Sequence, residues 1–127
     1  MNKDIVYIVA GDEMKKLMER TNSSLNIIPF REDLSKGSYK GYDINEEFIE
    51  SRANNFGVST KEYYEKIKPI IELDFSKDYL LVFGEDACCK SNLEFMINYL
   101  KYHNYKKEIK VRIVNEYDLT IIKEYII

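Results

Sequence analysis

Short apolar runs along the chain have the pattern of buried β-strands. Residues 4–10 (DIVYIVA), 25–30 (LNIIPF) and 79–83 (YLLVF) are nearly continuous in apolar side chains, as in strands of a parallel sheet that is covered on both faces. Residues 110–114 (KVRIV) alternate between polar and apolar positions and predict a fourth strand. Residues 119–127 predict a fifth strand at an edge of the sheet, and we expect its final Tyr-Ile-Ile to be buried.

Apolar residues between these runs recur at helical spacing. In residues 14–18 the apolar positions are i, i+3 and i+4, which predicts a helix after the first strand. In residues 93–100 they are i, i+3, i+4 and i+7, which predicts another helix after the third strand. Asp12 is expected to be the N-cap residue of the first of these helices.

Two capping-box patterns predict two more helices in the middle of the chain. Asp43 with Glu46, and Ser59 with Glu62, have the three-residue spacing in which a side chain caps the first turn of a helix. Pro69 lies inside the second of these helices and predicts a kink or a break there, because proline lacks the backbone N–H that the helix requires.

The order of the elements predicts one α/β domain over residues 1–127. We expect a three-layer Rossmann-like or flavodoxin-like fold, with a mostly parallel sheet of 4–5 strands and helices on both faces. Right-handed crossovers favour a central first strand, with the second strand on one side and the third on the other. Ligands of such sheets bind outside the carboxyl ends of the strands, where the strand order reverses.

Charged residues follow all three of these strands at that end. Aspartate follows glycine after the first strand, Arg-Glu-Asp follows the second, and Gly-Glu-Asp follows the third. Glycine lets a ligand approach the backbone, and helix N-termini direct free N–H groups toward it. The ligand-binding residues predicted in this way are Gly11, Asp12, Arg31, Glu32, Asp33, Glu85 and Asp86.

These charges also have ordinary structural interpretations. Asp12 and Asp86 could be no more than N-caps, since aspartate is among the best N-cap residues. Arg31 could form a surface ion pair with a nearby acid such as Glu32 or Asp33, which contributes ~0–1 kcal/mol to stability. Glu85 is harder to explain in this way because it need not cap a helix, and it is the candidate general acid or base of a catalytic version of the site.

Composition narrows the classes of function. The net charge is −3, from 19 basic and 22 acidic residues, and no block of Lys and Arg predicts a broad nucleic-acid surface. The apolar run from Ile5 to Ala10 is too short for a signal peptide or a membrane span, so we expect a cytoplasmic protein. No glycine-rich dinucleotide or P-loop motif is present, and no spacing is a metal signature.

The only two cysteines of the chain, Cys88 and Cys89, are adjacent, and neighbours rarely satisfy disulfide geometry. We expect both to be reduced and at least one to be buried. A position near a helix N-terminus can lower a thiol pKa, but the interpretation of small buried hydrophobic residues is favoured.

Several stretches resemble a bacterial family known as domain of unknown function 1835. The stretches are IVYIVAGDE, PFREDLSKG, FIESRANNF and LLVFGEDACCKSNLEFMINYL, which are spread between residues 5 and 100, so the likeness extends over most of the chain. In the last of them, Glu85, Asp86, Cys89 and Asn92 match the family pattern, whereas Lys90 stands where that pattern has Gln. The resemblance implies a Rossmann-like domain and no particular activity. It adds Arg52, Cys89 and Asn92 to the candidate site residues.

The leading hypothesis is a domain that binds a polar ligand, phosphorylated or nucleotide-like, at the ends of the first three strands. Arg31 and Arg52 would neutralise the anion, and the carboxylates would bind hydroxyl groups, amines or a metal. Mg²⁺ could reconcile an acidic site with a phosphate, since it binds both, but no motif supports a metal ion and the cofactor is left open. The alternative is an interaction module, such as an inhibitor or immunity-type protein, whose acidic edge docks a protein partner.

Overall fold

A sheet lies between two layers of helices in the described part of the chain, residues 4–127. In chain order, the computed structural model contains β1 (Ile5–Val9), α1 (Asp12–Thr21), β2 (Asn26–Pro29), α2 (Glu46–Phe56), α3 (Thr60–Ile71), β3 (Asp78–Phe83), α4 (Ala87–Tyr102), β4 (Lys110–Val114) and β5 (Ile121–Ile126). The strand order is β2-β1-β3-β4-β5. The first four strands are parallel and β5 is antiparallel to β4. The expected α/β fold with a central first strand is confirmed.

The core is divided between the two faces of the sheet. Val6 and Ile8 belong to the larger apolar cluster, which lies against α2, α3 and α4. Val9 belongs to the smaller cluster, together with Met14 and Met18 of α1. Both faces of β1 are therefore buried, which explains its continuous apolar sequence.

Helix α1 begins at Asp12, and Gly11 is its N-cap residue. The prediction that Asp12 is the N-cap is therefore wrong, because its carboxylate binds Arg31 beside the helix (Arg31 Nε to Asp12 Oδ1, 3.0 Å). No side chain among the described residues caps α1. Gly11 has a φ of +150°, a conformation that residues with a Cβ atom rarely adopt.

The predicted cap of α2 at Asp43 is also wrong. Asn45 is the N-cap, and its Oδ1 accepts a hydrogen bond from Phe48 N at 2.9 Å. Asp43 lies outside the helix, and its Oδ1 is 3.0 Å from Nε2 of His103 at the end of α4. The Asp43 carboxylate therefore contacts a residue distant in the chain, instead of capping α2 as the local spacing predicted.

The caps of α3 and α4 agree with the sequence. Ser59 caps α3, and Asp86 caps α4. Helix α3 continues through Pro69 to its end at Ile71, so the expected break is absent. Proline lacks only its own N–H, so one bond, to the carbonyl oxygen of residue 65, is lost, and the helix ends two residues later.

Strand β5 is exposed along its whole length. The prediction that the terminal Tyr-Ile-Ile is buried is wrong, since Tyr125, Ile126 and Ile127 are 38%, 56% and 47% exposed. The physical reason is the order of the elements. All four described helices precede β4, so no helix follows to cover β5, and both core clusters contain residues of β1 to β4 but none of β5. Within residues 4–127, no helix has both the length and the apolar character needed to cross a membrane.

Candidate functional site

The carboxyl ends of the parallel strands open onto two adjoining cavities. The larger, of about 540 Å³, lies between the starts of α1 and α4 and is bordered by Gly11, Asp12 and Asp86. The smaller, of about 340 Å³, lies between the end of β2 and helices α2 and α3. Asp12 borders both, so we describe them together as the crevice. It lies at the reversal of strand order, where ligands of such folds bind.

Arg31 and Asp12 form an ion pair in this crevice. Arg31 Nε lies 3.0 Å from Oδ1 and 3.1 Å from Oδ2 of Asp12, and Nη1 lies 3.4 Å from the carbonyl oxygen of Lys66. Within residues 4–127, Arg31 Nη2 has no hydrogen-bond partner. The pair follows from the parallel register of β1 and β2, which brings the ends of both strands together. Both side chains are partly exposed, so Arg31 keeps a donor that a ligand can reach.

Glu32 and Arg52, by contrast, form a fully buried ion pair. Arg52 Nε and Nη2 donate to Oε2 and Oε1 of Glu32 at 2.9 and 2.7 Å, and both side chains are 0% exposed. The phenol of Tyr63 also donates to Glu32 Oε2, at 2.5 Å. Burial, followed by the charge of Glu32, raises the pKa of Tyr63, so its hydroxyl stays a donor.

Arg52 also binds the loop that follows β2. Nη1 donates to the carbonyl oxygens of Lys36 and Ser38 at 2.8 and 3.3 Å, and Nη2 donates to that of Asp33 at 3.0 Å. A guanidinium has five N–H donors, and these contacts with Glu32 and the loop engage all of them. Arg52 therefore has no donor left for an anion, and it borders neither cavity.

Asn92 binds the same loop from α4. Its Nδ2 donates to the carbonyl oxygen of Glu32 at 2.7 Å, and its Oδ1 accepts from Leu34 N at 2.9 Å. Asn92 is completely buried. Glu32, Arg52 and Asn92, all predicted as ligand-binding residues, thus hold the loop in place. Glu32 also borders the smaller cavity, but both of its carboxylate oxygens are already hydrogen-bonded.

Asp33 remains at the border of the smaller cavity. Its Oδ1 accepts hydrogen bonds from the backbone and the hydroxyl of Ser35. These bonds keep the pKa of Asp33 below its ordinary value, and the bond from the Ser35 hydroxyl has the larger effect. The thiol of Cys88 lies beside it, and burial, followed by the Asp33 charge, raises the pKa of Cys88 to about 12.

A second group of side chains lies at the start of α4. Asp86 Oδ1 accepts from Cys89 N at 2.7 Å, and this bond holds the pKa of Asp86 below its usual range. Burial, followed by a hydrogen bond to Asp86, raises the pKa of Glu116. The Cys89 sulfur is 4.0 Å from Glu116 Oε1. A side chain at Gly84 would overlap that of Glu116, so this glycine makes room for the group.

The donor atoms of Asp86, Cys89 and Glu116 lie within 4.8 Å of one another. Burial raises the thiol pKa of Cys89 to about 12, so the sulfur is protonated at neutral pH and is a poor metal ligand. Two carboxylates remain as oxygen ligands of the kind that Mg²⁺ accepts. Both cysteines are free and Cys89 is buried, as predicted.

Glu116 was not predicted as a site residue. It follows β4 at the same edge of the sheet, and an acidic residue just after the fourth strand was the signal that could have found it. Glu85, the candidate acid or base, is exposed and borders a depression of about 250 Å³ that adjoins the larger cavity, since Asp86, Glu116 and Tyr117 border both. It borders neither cavity of the crevice.

Gly11 leaves the first turn of α1 open to the larger cavity. Residues 11–14 all border that cavity, and the first backbone N–H groups of α1 have no side-chain cap among the described residues. The other three helices are capped by Asn45, Ser59 and Asp86. Free N–H groups at a helix start attract negative charge.

The fold and the crevice define an α/β domain of Rossmann-like or flavodoxin-like architecture. Comparison with protein-family models, with curated proteins and with solved structures finds no match to the chain. The resemblance to the domain of unknown function 1835 therefore stays a prediction.

Proposed function

We propose that this protein is a small cytoplasmic domain that binds a polar ligand, phosphorylated or nucleotide-like, in the crevice at the carboxyl ends of β1, β2 and β3. The observation that carries the proposal is the proximity of two groups that favour anions. Among residues 4–127, no side chain caps the start of α1, which borders the larger cavity, and Arg31 lies beside it with an Nη2 donor that has no partner there. A phosphate that bridges them would accept backbone N–H bonds and a charge-assisted bond.

The remaining part of the ligand would occupy the larger cavity. Its volume of about 540 Å³ is in the ordinary range for sites of small molecules. Asp86 and Glu116 lie across the cavity from α1 and offer oxygen acceptors for sugar hydroxyl groups. The raised pKa of Glu116 reduces the negative charge that a phosphate would meet.

The site is still acidic, and Mg²⁺ would offset that charge. Mg²⁺ binds through one or two carboxylates together with phosphate oxygens. Asp86 and Glu116, whose carboxylate oxygens lie within 4.8 Å of each other beside the cavity, are the carboxylates that would hold such an ion. We assign no reaction, because Glu85, the residue expected to act as acid or base, lies outside the crevice.

The alternative function, an acidic edge that docks a protein, requires the charges to spread over an outward surface. Asp12, Arg31 and Asp33 border a concave cavity instead. Arg31 also pairs with Asp12, which removes part of the uniform negative field that a basic partner would need. These contacts favour the small-molecule proposal.

A thermal-shift screen tests the proposal. Nucleoside mono-, di- and triphosphates, sugar phosphates, the matching nucleosides and inorganic phosphate would each be added with and without Mg²⁺. We expect a phosphorylated compound to raise the melting temperature more than its unphosphorylated counterpart, because a ligand that binds only the folded state stabilises it. No shift from any phosphorylated compound at concentrations near ~1 mM, the range of weak binding, would contradict the proposal.

A further inference from the structure

Backbone groups on the outer edge of β5 have no hydrogen-bond partner within residues 4–127. Ile127 N donates to the carbonyl oxygen of Ile109 at 3.0 Å, so the backbone of Ile127 faces β4. Residues in an antiparallel pair alternate in this respect, and the register pairs Ile126 with Lys110 and Glu124 with Arg112. The N–H and C=O groups of Glu124 and Ile126 therefore point away from β4, toward a position that another strand can occupy.

The side chains of this strand are unusually apolar for an exposed edge. Ile121, Ile122, Tyr125 and Ile126 are all exposed. Edge strands of monomeric proteins are usually protected by charges, bulges or a covering element. Strand β5 has two of these features, the charges of Lys123 and Glu124 and a bulge near its start, but its apolar residues on both sides of the charges stay exposed.

The order of these residues is chemically symmetric about Glu124. Residues 121–127 read IIKEYII, so each isoleucine has an isoleucine at the same distance on the other side. Lys123 and Tyr125 form the remaining pair, and within one chain Lys123 Nζ already lies 5.6 Å from the centre of the Tyr125 ring. Two copies of this strand, placed antiparallel about Glu124, therefore bring isoleucine opposite isoleucine.

We propose that the protein forms a symmetric dimer in which β5 pairs antiparallel with β5 of a second copy, in a register centred on Glu124. The two sheets then form one continuous sheet of ten strands, and a two-fold axis relates the same surface of each copy. Ile126 lies opposite Ile122 of the partner subunit, and Tyr125 lies opposite Lys123 of the partner subunit. The backbone groups that point away from β4 form the hydrogen bonds between the copies.

Charge selects this register over its neighbours. The two Glu124 carboxylates face each other, but each is bound by Arg112 of its own chain (Nε to Oε2, 2.8 Å). A register centred on Lys123 would instead oppose two lysines, and it would place Ile122 against Glu124 of the partner subunit. A register centred on Tyr125 would place Glu124 against Ile126 of the partner subunit. Of these three registers, the one centred on Glu124 is the one that matches apolar with apolar residues and leaves each like charge with a counterion.

The start of β5 limits the length of the pairing. Ile113 pairs with Lys123 and Val114 pairs with Ile121, so Ile122 is the extra residue of a bulge in β5. Because a bulge bends the strand and increases its twist, regular pairing between the copies is centred on residues 123–125, and Ile126 contacts Ile122 of the partner subunit at each end.

Sedimentation equilibrium of the purified chain tests the dimer. We expect a concentration-dependent rise from the monomer mass of 15.1 kDa toward twice that value. Ile126→Pro removes an outward N–H that no described residue accepts, so β5 still pairs with β4 while its outer edge is blocked. The dimer of this variant should be at least about tenfold weaker. Ile126→Val, which keeps the N–H and the branched side chain, is the matched control and should dimerise like the wild type.

Hydrogen exchange on the wild-type protein gives a second test that needs no variant. The amides of Glu124 and Ile126 should exchange more slowly as the protein concentration rises, because pairing protects them. The exposed amide of Lys61 should not change. A protein that remains monomeric up to about 1 mM would overturn the proposal, as would a folded Ile126→Pro variant that dimerises as tightly as the wild type.

Discussion

Arg52 and Glu32 form a bidentate ion pair in which neither side chain has any exposed surface, with N–O distances of 2.9 and 2.7 Å. The pair joins the middle of α2 to the loop after β2. Arg52 then binds three carbonyl oxygens of the same loop, so one buried side chain fixes the path of residues 33–38. That loop carries Asp33 to the border of the crevice.

Replacing Arg52 should destabilise the protein strongly. Arg52→Ala leaves the Glu32 carboxylate buried without its counterion, and breaking such a pair typically costs about 3–5 kcal/mol. Urea unfolding measures the loss. Arg20→Ala is the control, because Arg20 is exposed in the last turn of α1 and its loss should cost less than ~1 kcal/mol. Equal costs for the two variants would mean that the buried pair does not support the loop.

Asn92→Leu should also destabilise the protein, for a different reason. The variant leaves the carbonyl of Glu32 and the N–H of Leu34 buried without partners, and each unsatisfied group costs about 1–3 kcal/mol. Faster hydrogen exchange at the Leu34 amide should accompany the loss. Asn98→Leu on the same helix is the matched control, since its hydrogen bond to Glu94 is exposed. A similar loss in both variants would contradict this role of Asn92.

The carboxyl of Asp86 should make stability depend on pH in the acid range. Its hydrogen bond from Cys89 N lowers the folded-state pKa below the ordinary value of 3.8. Because the folded-state pKa is the lower one, ionised Asp86 stabilises the fold at any pH above its unfolded-state pKa. This stabilisation is lost as the pH falls through the folded-state pKa. In Asp86→Asn the side chain can still cap α4 but has no ionisable carboxyl. The stability of this variant should therefore fall less than that of the wild type below about pH 4.

The comparison needs a control at a carboxyl without such a bond. Glu13→Gln, which removes an exposed carboxyl of α1, should retain the acid dependence of the wild type. Unfolding free energies from urea titrations at several pH values provide the measurement. Identical pH profiles for the wild type and Asp86→Asn would show that the bond to Cys89 does not contribute in this way.

Both thiols should react slowly in the folded protein. Burial raises the pKa of Cys88 and of Cys89 to about 12, so little thiolate is present at pH 8. Alkylation by iodoacetamide at that pH should be at least about tenfold slower in buffer than in urea, because the thiolate is the reactive form. Mass spectrometry of the digested protein assigns the rate to each residue. Rapid labelling of both in buffer would contradict the raised pKa values.

The sheet could be predicted from the sequence because each strand is marked by its own residues. Strands buried on both faces must be apolar throughout, as in β1 and β3, and the handedness of crossovers then restricts the strand order. The exposure of β5 could not be predicted, because an apolar strand has the same pattern whether a helix layer, another chain or water lies beside it.

The candidate site could be predicted only in part. The convergence of Asp12 and Arg31 follows from parallel strands that end at one edge. Local sequence could not predict that Arg31 faces the crevice while the side chain of its neighbour Glu32 is buried beneath the loop. That separation depends on Arg52 and Tyr63, which are distant in the chain and approach Glu32 only when α2 and α3 pack.

The central claim is that Arg31 binds an anionic group in the crevice, and calorimetric titration of Arg31→Ala tests it most directly. The titrant is the phosphorylated compound that shifts the melting temperature most in the screen, with the Arg112→Ala variant as the control for loss of a surface arginine. Loss of one charge-assisted hydrogen bond should weaken binding by about 1.5–3 kcal/mol, which is roughly ten- to hundredfold. Arg112→Ala should bind like the wild type. Equal affinities of Arg31→Ala and the wild type would contradict the account and leave the pair of Arg31 and Asp12 as a surface ion pair.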